Sequence, residues 1–167
     1  MREKASGTRL RGRLYRITQI RWVDIPRRTV EALQLPPATD GGRPTHRNAI
    51  LCFNGDRDRV TLVPGRPGWF RVAFKVELLR AAGVDAGDLI EFSLAPDTAS
   101  RVPEPPEEMR RAFQSRPELA ERWNAHSVAL RRQIVRYIEE AKSPDVRTRR
   151  SWTFIERLAE TGKLTAG

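Results

Sequence analysis

The sequence predicts a mainly β protein with added α structure: a small barrel built from two pseudo-symmetric halves, followed by a helical tail. Three observations carry this. Residues 70–94, FRVAFKVELLRAAGVDAGDLIEFSL, spell a strand, a short helix with a glycine stop, a tight Gly-Asp turn and a second strand. A diluted copy of its first half, WVDIPRRTVEALQL, lies 49 residues earlier at 22–35. The overlay sets Val23 on Val72, Ile25 on Phe74, Val30 on Leu79, Leu33 on Ala82 and Leu35 on Val84. Beyond a proline-rich stretch at 97–106, the apolar period changes from that of strands to that of helices.

Taken in order, residues 1–9 read as a mobile basic arm, 10–96 as the barrel, 97–106 as a linker and 107–167 as the tail. Leu10–Ile25 predicts one or two strands, and Pro26 opens a short helix, a place where its missing N–H costs nothing. Residues 36–46, rich in proline and glycine, form a loop. Asn48–Phe53, the Asn54-Gly55 turn and Val60–Val63 make a hairpin. Trp69–Phe74 is a strand, Val76–Ala82 a helix, and Gly87-Asp88 a structural turn into the strand Leu89–Leu94. Short strands at this spacing indicate a barrel rather than an open α/β sheet. In the tail, Ser115 with Glu118 matches a capping box, Ser127 and Ser143 are caps, and Leu119, Trp123, Leu130, Ile134, Ile138, Trp152, Ile155 and Leu158 face inward.

The net charge of +10 is unevenly spread. Residues 1–21 carry seven Lys/Arg against one acid, 22–100 ten of each, and 101–167 fourteen against ten. Residues 22–100 are therefore neutral, and the basicity sits in residues 1–21 and the tail. Such charge points to anionic partners, although 27 arginines against 4 lysines also fit a compositional skew. No apolar run approaches the roughly 18 residues of a membrane span, and no apolar stretch follows the basic start. A single cysteine, Cys52, cannot staple the fold. The expected location is the cytoplasm.

Two histidines, one cysteine and no metal-ligand or nucleophile motif predict no catalytic residue, no metal site and no cofactor. His46, in the 36–46 loop, is the candidate loop-pocket residue. Asp56-Arg57-Asp58-Arg59 reads as a solvated hairpin end. Arg9, Arg11 and Arg13 share one strand face and, with Arg16, form a candidate anion or nucleic-acid contact; the second candidate set is Arg131, Arg132, Arg147, Arg149 and Arg150. Trp22, Trp69, Trp123 and Trp152 all fall at inward positions, which favours core over base stacking.

The chain resembles the bacterial YdeI/OmpD-associated, bacteriocin-protection-like proteins. The barrel half of the resemblance lies in Trp22-Val23, Ile25-Pro26, Asn54-Gly55 and the run Lys75–Asp88; the tail half in Arg131-Arg132, Tyr137-Ile138, Ala141-Lys142, Arg147, Arg149 and Arg150. The resemblance implies a double-split β-barrel of the kind shared with AbrB- and MazE-like domains. Both halves in one chain imply a monomer rather than an obligate dimer. The first half departs from the pattern, because no Gly-Asp turn follows Leu35. The function expected is a non-catalytic binding or stress-protection module of unknown ligand, whose partner is a protein or nucleic acid. Nucleic-acid binding through the basic arm and AbrB-like barrel is the alternative, and a small-molecule enzyme with a pocket near His46 the third reading.

Overall fold

The apolar alternation of the first hundred residues folds into one curled antiparallel sheet. A computed structural model of the protein describes residues 7–40 and 42–165. Among them are seven strands: β1 (Thr8–Arg13), β2 (Tyr15–Ile17), β3 (Ile20–Pro26), β4 (Arg47–Phe53), β5 (Asp56–Pro64), β6 (Trp69–Phe74) and β7 (Leu89–Pro96). Their order across the sheet is β1-β7-β4-β5-β6-β3-β2. Two short helices, α1 (Arg27–Ala32) and α2 (Val76–Ala82), follow β3 and β6. The chain divides into two units, Met1–Ala99 and Ser100–Gly167.

The inward alternate residues of the strands meet in one core. Phe74 stacks edge-on against Phe53 and Phe92, with centroids 5.6 and 5.3 Å away, and Leu14, Val23, Leu51, Leu62, Val72 and Leu94 fill the space around them. Val30 of α1 and Leu79 of α2 are buried in the same core. Burying side chains of this size contributes about 1.5–3 kcal/mol each. The curl brings β1 against β3 at Gly12, where an added Cβ would stand 2.1 Å from Val23 Cγ1. Only glycine permits that approach. The Asn54-Gly55 turn forms as expected, with φ of 50° and 88° and Phe53 paired to Asp56.

The structure corrects the first twenty-five residues. Leu10–Ile25 holds parts of three strands rather than one or two, and β1 begins at Thr8, inside the segment assigned to the arm. Residues 1–6 of that arm lie outside the described residues. Two breaks were hidden from a reading based on glycine and proline. Leu14 leaves the ladder to bond the β7 entry turn, and Thr18 turns the chain at φ 53°. At the far end, the first linker residues are tied down: buried Asp97 pairs with Arg59 at 2.9 Å, and the Ala99 carbonyl accepts from the same guanidinium at 2.8 Å.

The second unit is helical: α3 (Glu107–Ser115), α4 (Pro117–Asn124), α5 (Val128–Glu139) and α6 (Pro144–Thr161). Its core joins Met109, Leu119, Trp123, Ile134, Val135, Ile138, Ile155, Leu158 and Leu164, with Leu130 partly buried beside them. Ser127 and Ser143 cap α5 and α6, accepting from Leu130 N at 3.2 Å and Val146 N at 3.3 Å. The capping box at Ser115 does not form. Ser115 ends α3 and donates back to the Arg111 carbonyl, while Arg116 occupies the N-cap of α4 without a side-chain capping bond. Pro117 at the first helical position makes that start workable. Trp152 is also a correction: it is 49% exposed, on the outer side of α6. Trp22 and Trp69 are half-buried, each beneath a guanidinium, Arg71 at 4.7 Å and Arg66 at 4.3 Å.

Candidate functional site

On the outer face of the sheet, register aligns residues from four strands in one row. Arg9 of β1 lies opposite Ser93 of β7, Ser93 opposite Cys52 of β4, and Cys52 opposite Arg57 of β5. Directly paired residues point to the same side, so two long side chains flank two short ones. The result is an open groove of about 890 Å³, floored by Ser93 and Cys52 and lined further by Asn54, Asp56 and Glu91. Three strand spacings separate the two arginines, about 14 Å in all. Among the described residues neither the Arg9 nor the Arg57 guanidinium has an ion-pair or hydrogen-bond partner.

The rest of the β1 stripe is engaged. Arg9, Arg11 and Arg13 do share one exposed face. Arg11, however, pairs with the cross-strand Glu91 at 2.7 Å, and Arg13 donates to the Gly87 carbonyl. Arg16 is exposed on β2 and faces Arg21 across the β2–β3 hairpin. The turn at Gly87 has φ 102°, and the Asp88 carboxylate accepts from Asp85 N at 2.9 Å. Leu14, just past β1, closes it with two backbone bonds, one to the Asp88 carbonyl and one from Gly87 N. Asp85 accepts from Arg21 at 2.7 Å and from the Ala86 amide; these bonds, with Arg16 nearby, hold its carboxyl down at about 2. Arg13 and Arg21 therefore brace the turn.

His46 is half-buried in its loop, where its backbone bonds Arg43 and Ala38. It lines none of the grooves described here. No group of three or more His, Cys, Asp or Glu among the described residues is placed to hold a metal.

The arginines of the helical unit do not assemble into one patch. Arg131 is buried on the core side of α5, donating to Asn124 Oδ1 at 3.0 Å, so it is not offered to solvent. Arg132 donates to the Arg101 carbonyl at 3.1 Å. Arg147 and Arg149 are exposed but stand about 200° apart around α6. Arg150 lies over the Tyr137 ring at 4.1 Å.

Arg57 is the residue that sequence reading missed. Its place in a charged hairpin end resembles a solvated surface. The signal available was its odd-numbered phase on β5, two residues past the Asn54-Gly55 turn, which sets it opposite Cys52.

No described helix is long and apolar enough to cross a membrane. No curated protein matches the chain. Residues 102–161, which span α3 to α6, match the family model OmdA, described as Bacteriocin-protection, YdeI or OmpD-Associated. Over this helical unit, about a third of the chain, the sequence is therefore similar to the YdeI/OmpD-associated family.

Proposed function

We propose that the protein is a non-catalytic, cytoplasmic binding module serving stress or bacteriocin protection, and that it recognises an anionic partner through the groove between Arg9 and Arg57. The observation that carries this is the pair of unpartnered guanidiniums on either side of a floor of short polar side chains. Desolvated charge without a partner is costly, and solvated charge at a groove wall is free to meet a ligand.

The β unit is read as a monomeric double-split barrel with two pseudo-symmetric halves, of the AbrB/MazE-like kind. Shifted by 49 residues, the bounds of β3 and α1 fall within one residue of those of β6 and α2, and those of β1 fall inside β5. β3 and β6 pair antiparallel with Val23 opposite Val72, the two residues that the repeat superposes. A local two-fold axis sets a residue opposite its own counterpart in this way.

The test compares bacteria expressing the wild-type chain with bacteria expressing the Arg9→Ala/Arg57→Ala double variant, both challenged with bacteriocins. Protection by the wild type and its loss in an equally abundant, equally stable variant is the expected result. Full protection by the variant would remove the groove from the mechanism.

A further inference from the structure

A second site lies within the helical unit, apart from the arginine-flanked groove. Between α5 and α6 runs a cleft of about 350 Å³, walled by Leu130, Tyr137, Phe154 and Leu164, with Gln133 and Arg157 at its polar side. Leu130, Gln133 and Tyr137 recur at spacings of three and four on α5, as do Arg150, Phe154 and Arg157 on α6, so two stripes face each other across it. Tyr137 stays 49% exposed although its ring meets Phe154 edge-on at 6.2 Å. A half-exposed aromatic wall is retained here while the neighbouring Ile134 and Leu158 are buried.

The charge lining the cleft has one sign, while Glu156 and Glu160 share a neighbouring groove with Arg157. Arg157 lies 5.6 Å over the Phe154 ring and Arg150 lies 4.1 Å over Tyr137. Each spends donor capacity on a backbone carbonyl, Arg157 on Leu164 and Arg150 on Tyr137, and a guanidinium has five N–H donors. Among the described residues neither has a carboxylate partner, and no carboxylate lines the cleft. The volume falls in the range of small-molecule sites, which are mostly apolar with a few placed polar groups.

We propose that this cleft binds a small amphiphilic anion: an apolar, preferably aromatic body held between Leu130, Tyr137, Phe154 and Leu164, with its carboxylate, or an equivalent oxyanion, on Arg157. The ring edges of Tyr137 and Phe154 suit an aromatic body, and the planar guanidinium suits a two-oxygen acceptor.

Calorimetric titration of the full chain with three probes tests this: 2-naphthoate, 2-naphthalenemethanol and 2-naphthylmethylammonium. The expected order is saturable one-site binding of naphthoate, the alcohol weaker by about tenfold or more, and the ammonium weakest. Arg157→Gln should erase the preference for naphthoate over the alcohol, and Arg157→Lys should keep part of it. Tyr137→Ala should weaken naphthoate and the alcohol by similar factors. Equal binding of all three probes by the wild type would overturn the proposal, as would no saturable naphthoate binding at millimolar concentration. A dimer seen by light scattering and abolished by Tyr137→Ala would also overturn it, because a second copy would then be the occupant. If Arg157→Gln fails to fold, the three-probe order on the wild type and Arg157→Lys still decide.

Discussion

Asp85 stands at the mouth of the β7 entry turn, where its contacts make a sensitivity to acid. Its carboxyl is held at about 2 against an ordinary 3.8, chiefly by the Arg21 hydrogen bond. A depressed carboxylate contributes stability that is present above the ordinary value and is lost as pH falls through the folded one. Asp85→Asn should therefore lower the melting temperature at neutral pH, with the gap to the wild type closing as pH falls from about 4 to about 2. A gap constant across that window would show that Asp85 acts through something other than its charge. Two residues on, Gly87 pays for a different constraint. Space around it is open, with nothing within 4 Å of an added Cβ, so only its φ of 102° resists substitution. Gly87→Val and Gly87→Ala should both destabilise by about 1–3 kcal/mol, read from denaturant midpoints. The need for glycine here was legible from Gly-Asp ending a strand–helix unit. Which arginines stay free was not. Arg11 and Arg13 look equivalent to Arg9 until register sets Glu91 and the Gly87 carbonyl beside them.

At the scale of elements, apolar periodicity located every helix, but its phase failed at one tryptophan. α6 buries Ser151, Ile155 and Leu158, and Trp152 lies one residue, about 100°, round from Ser151. A small polar residue took the inward position and a large apolar one the outward position, the reverse of what hydrophobicity ranks. Trp123, by contrast, is 1% exposed and packs against Phe113. Trp123→Ala should cost about 3–5 kcal/mol, whereas Trp152→Ala should stay within about 0.5 kcal/mol of the wild type. Comparable losses at both positions would mean that Trp152 is covered in solution. The caps divide similarly. Ser127→Ala should cost about 0.5–2 kcal/mol through the Leu130 amide, while Ser115→Ala removes no N-cap bond. The capping-box pattern misled because Pro117 lets α4 begin without such a bond, leaving Ser115 to finish α3.

For the molecule as a whole, the division into a β part and a helical part was visible in periodicity, but the charge division was not, because β1, β2 and the start of β3 bring the basic residues 8–21 into the β unit. The row that joins Arg9 to Arg57 was not, because it depends on register between residues as far apart in sequence as Arg9 and Ser93. The same long-range pairing decides how charge acts. If the protein binds nucleic acid, affinity should fall linearly on a log–log plot against salt, with about 0.9 per duplex phosphate contact in the slope. The fold sorts the arginines ahead of that measurement. Arg9 and Arg57 are unpartnered and exposed, so Arg9→Ala/Arg57→Ala should reduce the slope by about 1–2. Arg11 already faces Glu91 and Arg13 braces the turn, so Arg11→Ala/Arg13→Ala should leave the slope nearly unchanged while lowering thermal stability. A slope lowered equally by both pairs would mean that the β1 stripe acts as undifferentiated positive charge. A wild type that binds neither duplex nor single strand at low salt would end the nucleic-acid reading. The groove would then hold a ligand recognised by the spacing of its two arginines and the hydroxyl and thiol between them, a demand that a generic polyanion does not meet.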